Sequence, residues 1–219
     1  MKVGKKILIA IGILIIVGLI LTIINSLQNG IGGWDGRSVE KILSVPPEKA
    51  TLADIEKLSK SEVMQLFYAA PAPEFTSVNG EYKAKVLPLG IMAPIAPFYT
   101  KYILGPGDWK GKAFYPFKKD NGWGYNLWEI KKNGQPKIIR TVKMKTFIGK
   151  SRLDDKDSFQ LDYSPFNGGI DYFMKDEVRR INERLYICMG MVITVGHKWN
   201  PAAFVMYDPT PWVGPDKTQ

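Results

Sequence analysis

Hydrophobic and polar positions change rhythm twice along this chain. Residues 7–24 (ILIAIGILIIVGLILTII) form an unbroken apolar run without a charge or a proline. A helix rises about 1.5 Å per residue, so the run spans ~27 Å, close to the thickness of a hydrocarbon core. So uniform a helix has no polar face to turn toward water, which predicts a transmembrane anchor. A cleaved signal peptide is the rival reading. Signal h-regions run about 7–15 residues and end at a small-x-small site. Here the run is longer, and Asn25-Ser26-Leu27-Gln28 follows it. Lys2, Lys5 and Lys6 precede the span, while Asp35 and Arg37 beyond it cancel. The positive-inside bias therefore predicts a cytoplasmic N-terminus (1–6) and a domain on the outer side, periplasmic or at the cell surface.

Glycines at 30, 32 and 33 mark residues 25–50 as a flexible linker. Residues 51–70 then show apolar positions at helical spacing: Leu52, Ile55, Leu58, Val63, Leu66 and Phe67. Ser59 followed by Glu62 has the form of a capping box, so one helix or two short ones are expected, with the break near Ser59. Pro71 and Pro73 end the pattern. From Gly80 onward the period drops to two, and turn signals separate short runs. Strands are expected over 81–87, 109–117, 125–131, 138–148, 159–163, 185–192 and 202–207. Asn133-Gly134 gives the clearest hairpin. Residues 174–181 fit a helical stripe (Met174, Val178, Ile181, Leu185) as well as a strand; the meander favours a strand. Residues 89–102 are apolar and hold Pro94 and Pro97, which predicts a buried loop or lid. No helical pattern alternates with the strands, so a parallel sheet is not expected. The pattern predicts a mainly β protein: an antiparallel meander closing into a roughly eight-stranded barrel over 74–213, with a tail at 214–219. Such a barrel is wide enough for one small ligand.

Charge adds a basic middle. Of a net +9, the stretch 101–152 carries thirteen Lys/Arg against three acids. Such a stretch suits anionic lipid headgroups or another acidic surface, or simply a solvated outer face. One cysteine, Cys188, excludes an intrachain disulfide, and one histidine, His197, excludes a Cys/His zinc site within a single chain. Cys188 alternates with apolar neighbours and reads as a core residue; His197 reads as an exposed loop residue without an orienting partner. There is no G-x-S-x-G, Walker or dinucleotide fingerprint, so no catalytic residue, metal or cofactor is assigned. An outer location argues against nucleic acid as a partner.

Candidate ligand-binding residues follow from the barrel. Tyr82, Trp109, Phe114, Tyr125, Trp128, Tyr163 and Tyr186 lie on predicted strands, where those facing inward would line an apolar cavity or fill a core. Asp176-Glu177-Val178-Arg179-Arg180 is the densest charge cluster. In a strand, Asp176 and Arg180 share one face, and Glu177 and Arg179 the other, so one pair must face inward. Asp176, Arg179 and Arg180 therefore join the candidates, either as ligand-orienting groups or as structural ion pairs.

Several short motifs carry a resemblance. They are Gly80-Glu81-Tyr82, the run Trp109 to Phe114 (WKGKAF), Gly124-Tyr125-Asn126, Asp162-Tyr163-Ser164-Pro165, Asp176-Glu177-Val178-Arg179, Leu185-Tyr186-Ile187 and Pro211-Trp212-Val213-Gly214. On these the stretch from Glu74 to Trp212 resembles a group of uncharacterised lipocalin-like, calycin-type bacterial proteins. The W-x-G-K-x-F and D-E-V-R pieces are also similar to small GXWXG-type domains. The resemblance implies a calycin-like barrel and carries no activity over. The lipocalin G-x-W form occurs at Gly107-Asp108-Trp109, away from the start of the domain. The function expected is that of a membrane-tethered barrel binding a small hydrophobic or lipid-like molecule. The alternatives are an enzyme of the same fold, acting on a lipid-like substrate through residues 176–180, and a ligand-free envelope scaffold.

Overall fold

The computed structural model describes residues 3–214 except 31, 89, 95, 194 and 195. Parts of the expected cytoplasmic N-terminus, of the 89–102 segment and of the C-terminal tail therefore lie outside the described residues. The domain is a closed antiparallel barrel of eight strands in meander order. They are β1 (Gly80–Val86), β2 (Asp108–Tyr115), β3 (Asn121–Lys132), β4 (Gln135–Lys150), β5 (Asp157–Asp162), β6 (Lys175–Asn182), β7 (Leu185–Met191) and β8 (Ala202–Thr210). Residues 174–181 thus resolve as strand, and β8 closes on β1. Up-and-down closure leaves free edges only where β1 and β2 part beyond Lys83 and Gly111, which explains how a β-rich domain limits edge pairing.

Among the described residues, five α-helices accompany the barrel: α1 (Val3–Leu27), α2 (Val39–Leu43), α3 (Leu52–Glu56), α4 (Lys60–Ala69) and α5 (Ala96–Tyr102). α1 is long and apolar enough to cross a membrane, and its apolar window is not buried by the rest of the chain. The helical segment does split in two at Ser59, whose hydroxyl caps α4 while Glu62 reaches back to the Ser59 N–H. Two stretches differ from the expectation. Helix α2 lies inside the stretch expected as a flexible linker, because Ser38 caps it and Ile42 and Leu43 bury against the helical layer. Helix α5 lies in the stretch expected as a loop; its proline, Pro97, sits in the first turn, where a missing N–H costs nothing.

The molecule has two cores. The outer one packs α2, α3 and α4 on the outward faces of β7 and β8, through Ile187, Met189, Ala203 and Val205. The inner one fills the barrel with Tyr82, Phe114, Phe159, Tyr186, Met144 and Met206, plugged from below by Phe75 and Val78. Edge-to-face contacts between Tyr82 and Tyr186 (5.5 Å) and between Phe114 and Phe159 (5.7 Å) leave this half of the barrel solid. Among the described residues, the barrel interior opens into a cavity toward the end where the connections β1–β2, β3–β4, β5–β6 and β7–β8 lie. Helix α1 docks at that same end. Asn25 Nδ2 donates to Asn200 Oδ1 (2.7 Å), Ser26 Oγ donates to the Trp199 carbonyl, and the Ile91 N–H donates to Gln28 Oε1 (3.1 Å). Lys60 Nζ donates to the Asn25 carbonyl and to Asn200 Oδ1 (3.2 Å), tying α4 into the same knot.

Candidate functional site

Strand alternation aims Lys112 (β2), Asn126 (β3) and Asp176 (β6) into the barrel just above the aromatic plug. Tyr163 joins them from the end of β5. Lys112 Nζ donates to Asn126 Oδ1 (2.8 Å), to Tyr163 Oη (2.5 Å) and to Asp176 Oδ2 (2.8 Å). Tyr163 Oη donates in turn to Asp176 Oδ2 (2.7 Å), and Trp109 Nε1 donates to Asn126 Oδ1 (3.1 Å). All three ammonium protons thus have acceptors, and the ion pair is nearly dry: the side chains of Lys112 and Asp176 are 3% and 9% exposed. The rings of Trp109, Tyr163 and Phe204 lie 5.2–5.3 Å from the ammonium and add a π lining. Burial, and then the Asp176 carboxylate, pushes the Tyr163 hydroxyl well above its usual range, so it stays a proton donor. Burial likewise pushes up the Cys188 thiol beside this cluster, so no thiolate forms there.

Above this polar floor is a cavity of ≈ 90 Å³. Its walls are apolar: Trp109, Trp128, Phe204, Met174, Val192 and Leu104. Trp128 is 2% exposed, yet its Nε1–H has no hydrogen-bond partner among the described residues. An orphaned buried donor in a cavity wall is the group a ligand acceptor would satisfy. Gly105 lies so close to this ring that a Cβ there would come within 2.2 Å of it, so the β1–β2 connection can cover Trp128 only with glycine at that position.

The cavity continues sideways. β1 and β2 are in register from Gly80↔Phe114 to Lys83↔Gly111; past that point Ala84–Val86 stay on β8, and Asp108 and Trp109 stay on β3. A groove of ≈ 720 Å³ occupies the parting, between Ala84 and Val86 on one side and Asp108 and Trp109 on the other. Val86, Thr100 and Trp109 line both spaces.

Of the ten candidate residues, four meet here: Trp109, Trp128, Tyr163 and Asp176. Tyr82, Phe114 and Tyr186 belong to the solid half of the barrel. Tyr125 points outward, under Trp212 and beside Trp123. Arg179 also points outward. It is fully buried, donates to both oxygens of Asp154 (2.7 and 2.5 Å) and caps the C-terminus of α4 through the Phe67 carbonyl (2.9 Å). Burial acts to raise the Asp154 carboxyl, but the Arg179 guanidinium and the Lys156 N–H and ammonium together hold that carboxyl below its usual range. Glu177, on the same outward face, is raised by burial although the Arg152 N–H bonds it. Arg180 lies at the far end, beside Glu183 (3.6 Å). The charged run therefore divides among three places, with Asp176 alone in the cavity.

Sequence reading did not single out Lys112, Asn126, Met174 and Phe204. A lysine sharing the alternation of Phe114 was the available signal. What hid the site is the irregularity between Trp109 and Gly111, which lets Trp109 and Lys112 face the same interior although strict alternation separates them.

No family model matches this chain, and no curated protein matches it. Among solved structures, the chain is similar to a protein from Thermomonospora curvata, with a TM-score of 0.43 and 14% identity, covering 75% of this chain and 91% of that one. At that level the fold rests on the strand pairing itself.

Proposed function

We propose that α1 crosses a membrane once, with its lysine-flanked start in the cytoplasm, and that the barrel beyond it holds a small neutral, lipid-like amphiphile. The observation that carries this reading is the orphaned Trp128 Nε1–H in the wall of an apolar cavity. Volume sets how the ligand sits. At about 30 Å³ per water-sized group, ≈ 90 Å³ takes only a few heavy atoms. A compact polar end, with an ester, ether or hydroxyl acceptor, fits against Trp128, while the apolar remainder runs out along the β1–β2 groove. Charge sets the neutrality. Asp176 already neutralises Lys112, so an added carboxylate meets Asp176 and an added ammonium meets Lys112. Binding is favoured over catalysis because Tyr163 keeps its proton and the 176–180 charges do not converge.

Native mass spectrometry of the full chain, extracted in mild detergent, tests the reading. A copurifying neutral amphiphile at fixed stoichiometry, lost in Trp128→Phe, supports it. A clean apo mass with no uptake from a lipid extract overturns it. Protease added to the outer face of intact membranes checks orientation: the domain should be digested.

A further inference from the structure

We propose that the barrel end where α1 docks lies directly against the bilayer that α1 crosses, with aromatic side chains at headgroup depth and lysines on anionic lipid phosphates. This rests on the reading of α1 as a membrane span.

Depth comes first. The apolar run of α1 ends at Ile24. The domain touches the helix at and just below that level: the backbone of Gly196 packs against Thr22, so that an added Cβ would sit 3.4 Å from the Thr22 methyl. Thr22 lies two residues, or ~3 Å, inside the end of the run. The β7–β8 connection is therefore fixed at the boundary between hydrocarbon and water. The knot of Asn25, Lys60 and Asn200 leaves no slack between helix and domain.

Composition of that end agrees. Among the described residues outside α1, fifteen large apolar side chains are exposed, and ten of them lie on the connections and the hairpin of this one end. They include Phe98, Tyr102, Tyr172, Phe173, Ile193 and Trp199, the last 72% exposed. A monomer in water does not concentrate apolar surface in this way without an occupant, and Trp and Tyr are the residues that settle at headgroup level. The β3–β4 hairpin projects from the same end and carries exposed Lys131, Lys132 and Lys137, none of them in a salt bridge among the described residues, although the Asp108 carboxylate lies within electrostatic reach of Lys131; Lys198 adds a fourth cation beside Trp199. Such a cluster next to a membrane span is attracted by anionic lipid. The opposite end of the barrel offers a control position, Phe117, exposed between β2 and β3.

The test uses the full chain in lipid nanodiscs, with and without added phosphatidylglycerol. Nitroxide labels go on Leu14→Cys in α1, on Phe98→Cys and Trp199→Cys at the docked end, and on Phe117→Cys at the far end. Native Cys188 is fully buried and stays unlabelled. Accessibility to oxygen and to an aqueous nickel chelate gives depth. Labels at 98 and 199 should favour oxygen several-fold over the label at 117, and more so with phosphatidylglycerol. The triple variant Lys131→Ser, Lys132→Ser, Lys137→Ser should lose that lipid dependence. If 98 and 199 are as open to the chelate as 117 while 14 is in lipid, this proposal fails and the ligand reading stands. If 14 is itself aqueous, the span fails and this proposal with it. Depth that ignores both lipid charge and the lysine variant overturns the anionic-lipid part.

Discussion

Replacing Asp176 with Asn keeps the shape of the cavity floor and removes the charge that faces Lys112. The ammonium then sits almost fully buried, with two neutral acceptors and an amide where it had a carboxylate at 2.8 Å. Breaking a buried pair by removing one partner typically costs ~3–5 kcal/mol, because the other charge stays desolvated and uncompensated. For a domain of this size about 2–4 °C of Tm accompanies each kcal/mol, so a fall of roughly 6–20 °C is expected. Lys112→Met alone should cost less, since Asp176 keeps the Tyr163 hydroxyl as a donor at 2.7 Å. The double variant Lys112→Met, Asp176→Leu should recover stability to within ~1 kcal/mol of the parent, since hydrophobic replacements of buried pairs are often neutral or better. Urea unfolding of the full chain in mild detergent, followed by near-ultraviolet dichroism, supplies the four corners of the cycle. The double variant should also lose ligand, which separates what the pair does for folding from what it does for binding. If Asp176→Asn costs under ~1 kcal/mol, as an exposed pair would, or if the two single losses simply add, the reasoning about a dry, coupled pair is wrong.

Arg179→Met should cost ~2–3 kcal/mol and speed amide exchange in the last turn of α4, because the half-buried Asp154 loses its bidentate partner and the Phe67 carbonyl loses its donor. Burial holds the Lys60 pKa at about 8 against an ordinary 10.5, so across that window the docked state binds fewer protons and the hold of α4 on α1 should strengthen as pH rises; thermal midpoints measured from pH 7 to 11 should show this, and Lys60→Met should flatten the profile. Val142 sits at φ +55 in a β-bulge on β4, so Val142→Gly should gain about 1 kcal/mol from relieved backbone strain, less what its half-buried side chain contributes; a loss above 1 kcal/mol in urea unfolding would show that packing dominates. Cys188 should resist maleimide until the barrel unfolds, and modification of the folded protein would contradict its burial and raised pKa.

Much of the architecture was legible because it depends on period. Alternation and the turn signals located all eight strands, and Asn133-Gly134 marks the turn between β3 and β4. The capping residues at Ser59 foretold the break between α3 and α4. The site was half legible. Trp109, Trp128, Tyr163 and Asp176 stood out by type, but nothing in their spacing separates them from Tyr82, Phe114 and Tyr186, which face the same interior one layer deeper. Layer depends on barrel stagger and on irregularities such as those beside Gly111 and at Val142, and the second lacks the glycine that usually announces a bulge. Arg179 was misleading for a related reason. A buried arginine reads as functional until the helix whose carbonyl it caps is seen lying over it.

The knot of Asn25, Lys60 and Asn200 has a consequence for encounter rather than for stability. A barrel on a loose leash sweeps a volume and samples whatever is dissolved in it. On the proposed reading of α1 as a membrane span, a barrel bolted to that span, with its parted strands at the same end, samples a plane. Occupancy by the proposed ligand would then follow its mole fraction in one leaflet, and diluting the surrounding water would change nothing. Lengthening the connection between Leu27 and Trp34 would not free it, since the hydrogen bonds of Asn25 and Ser26 leave from the helix itself.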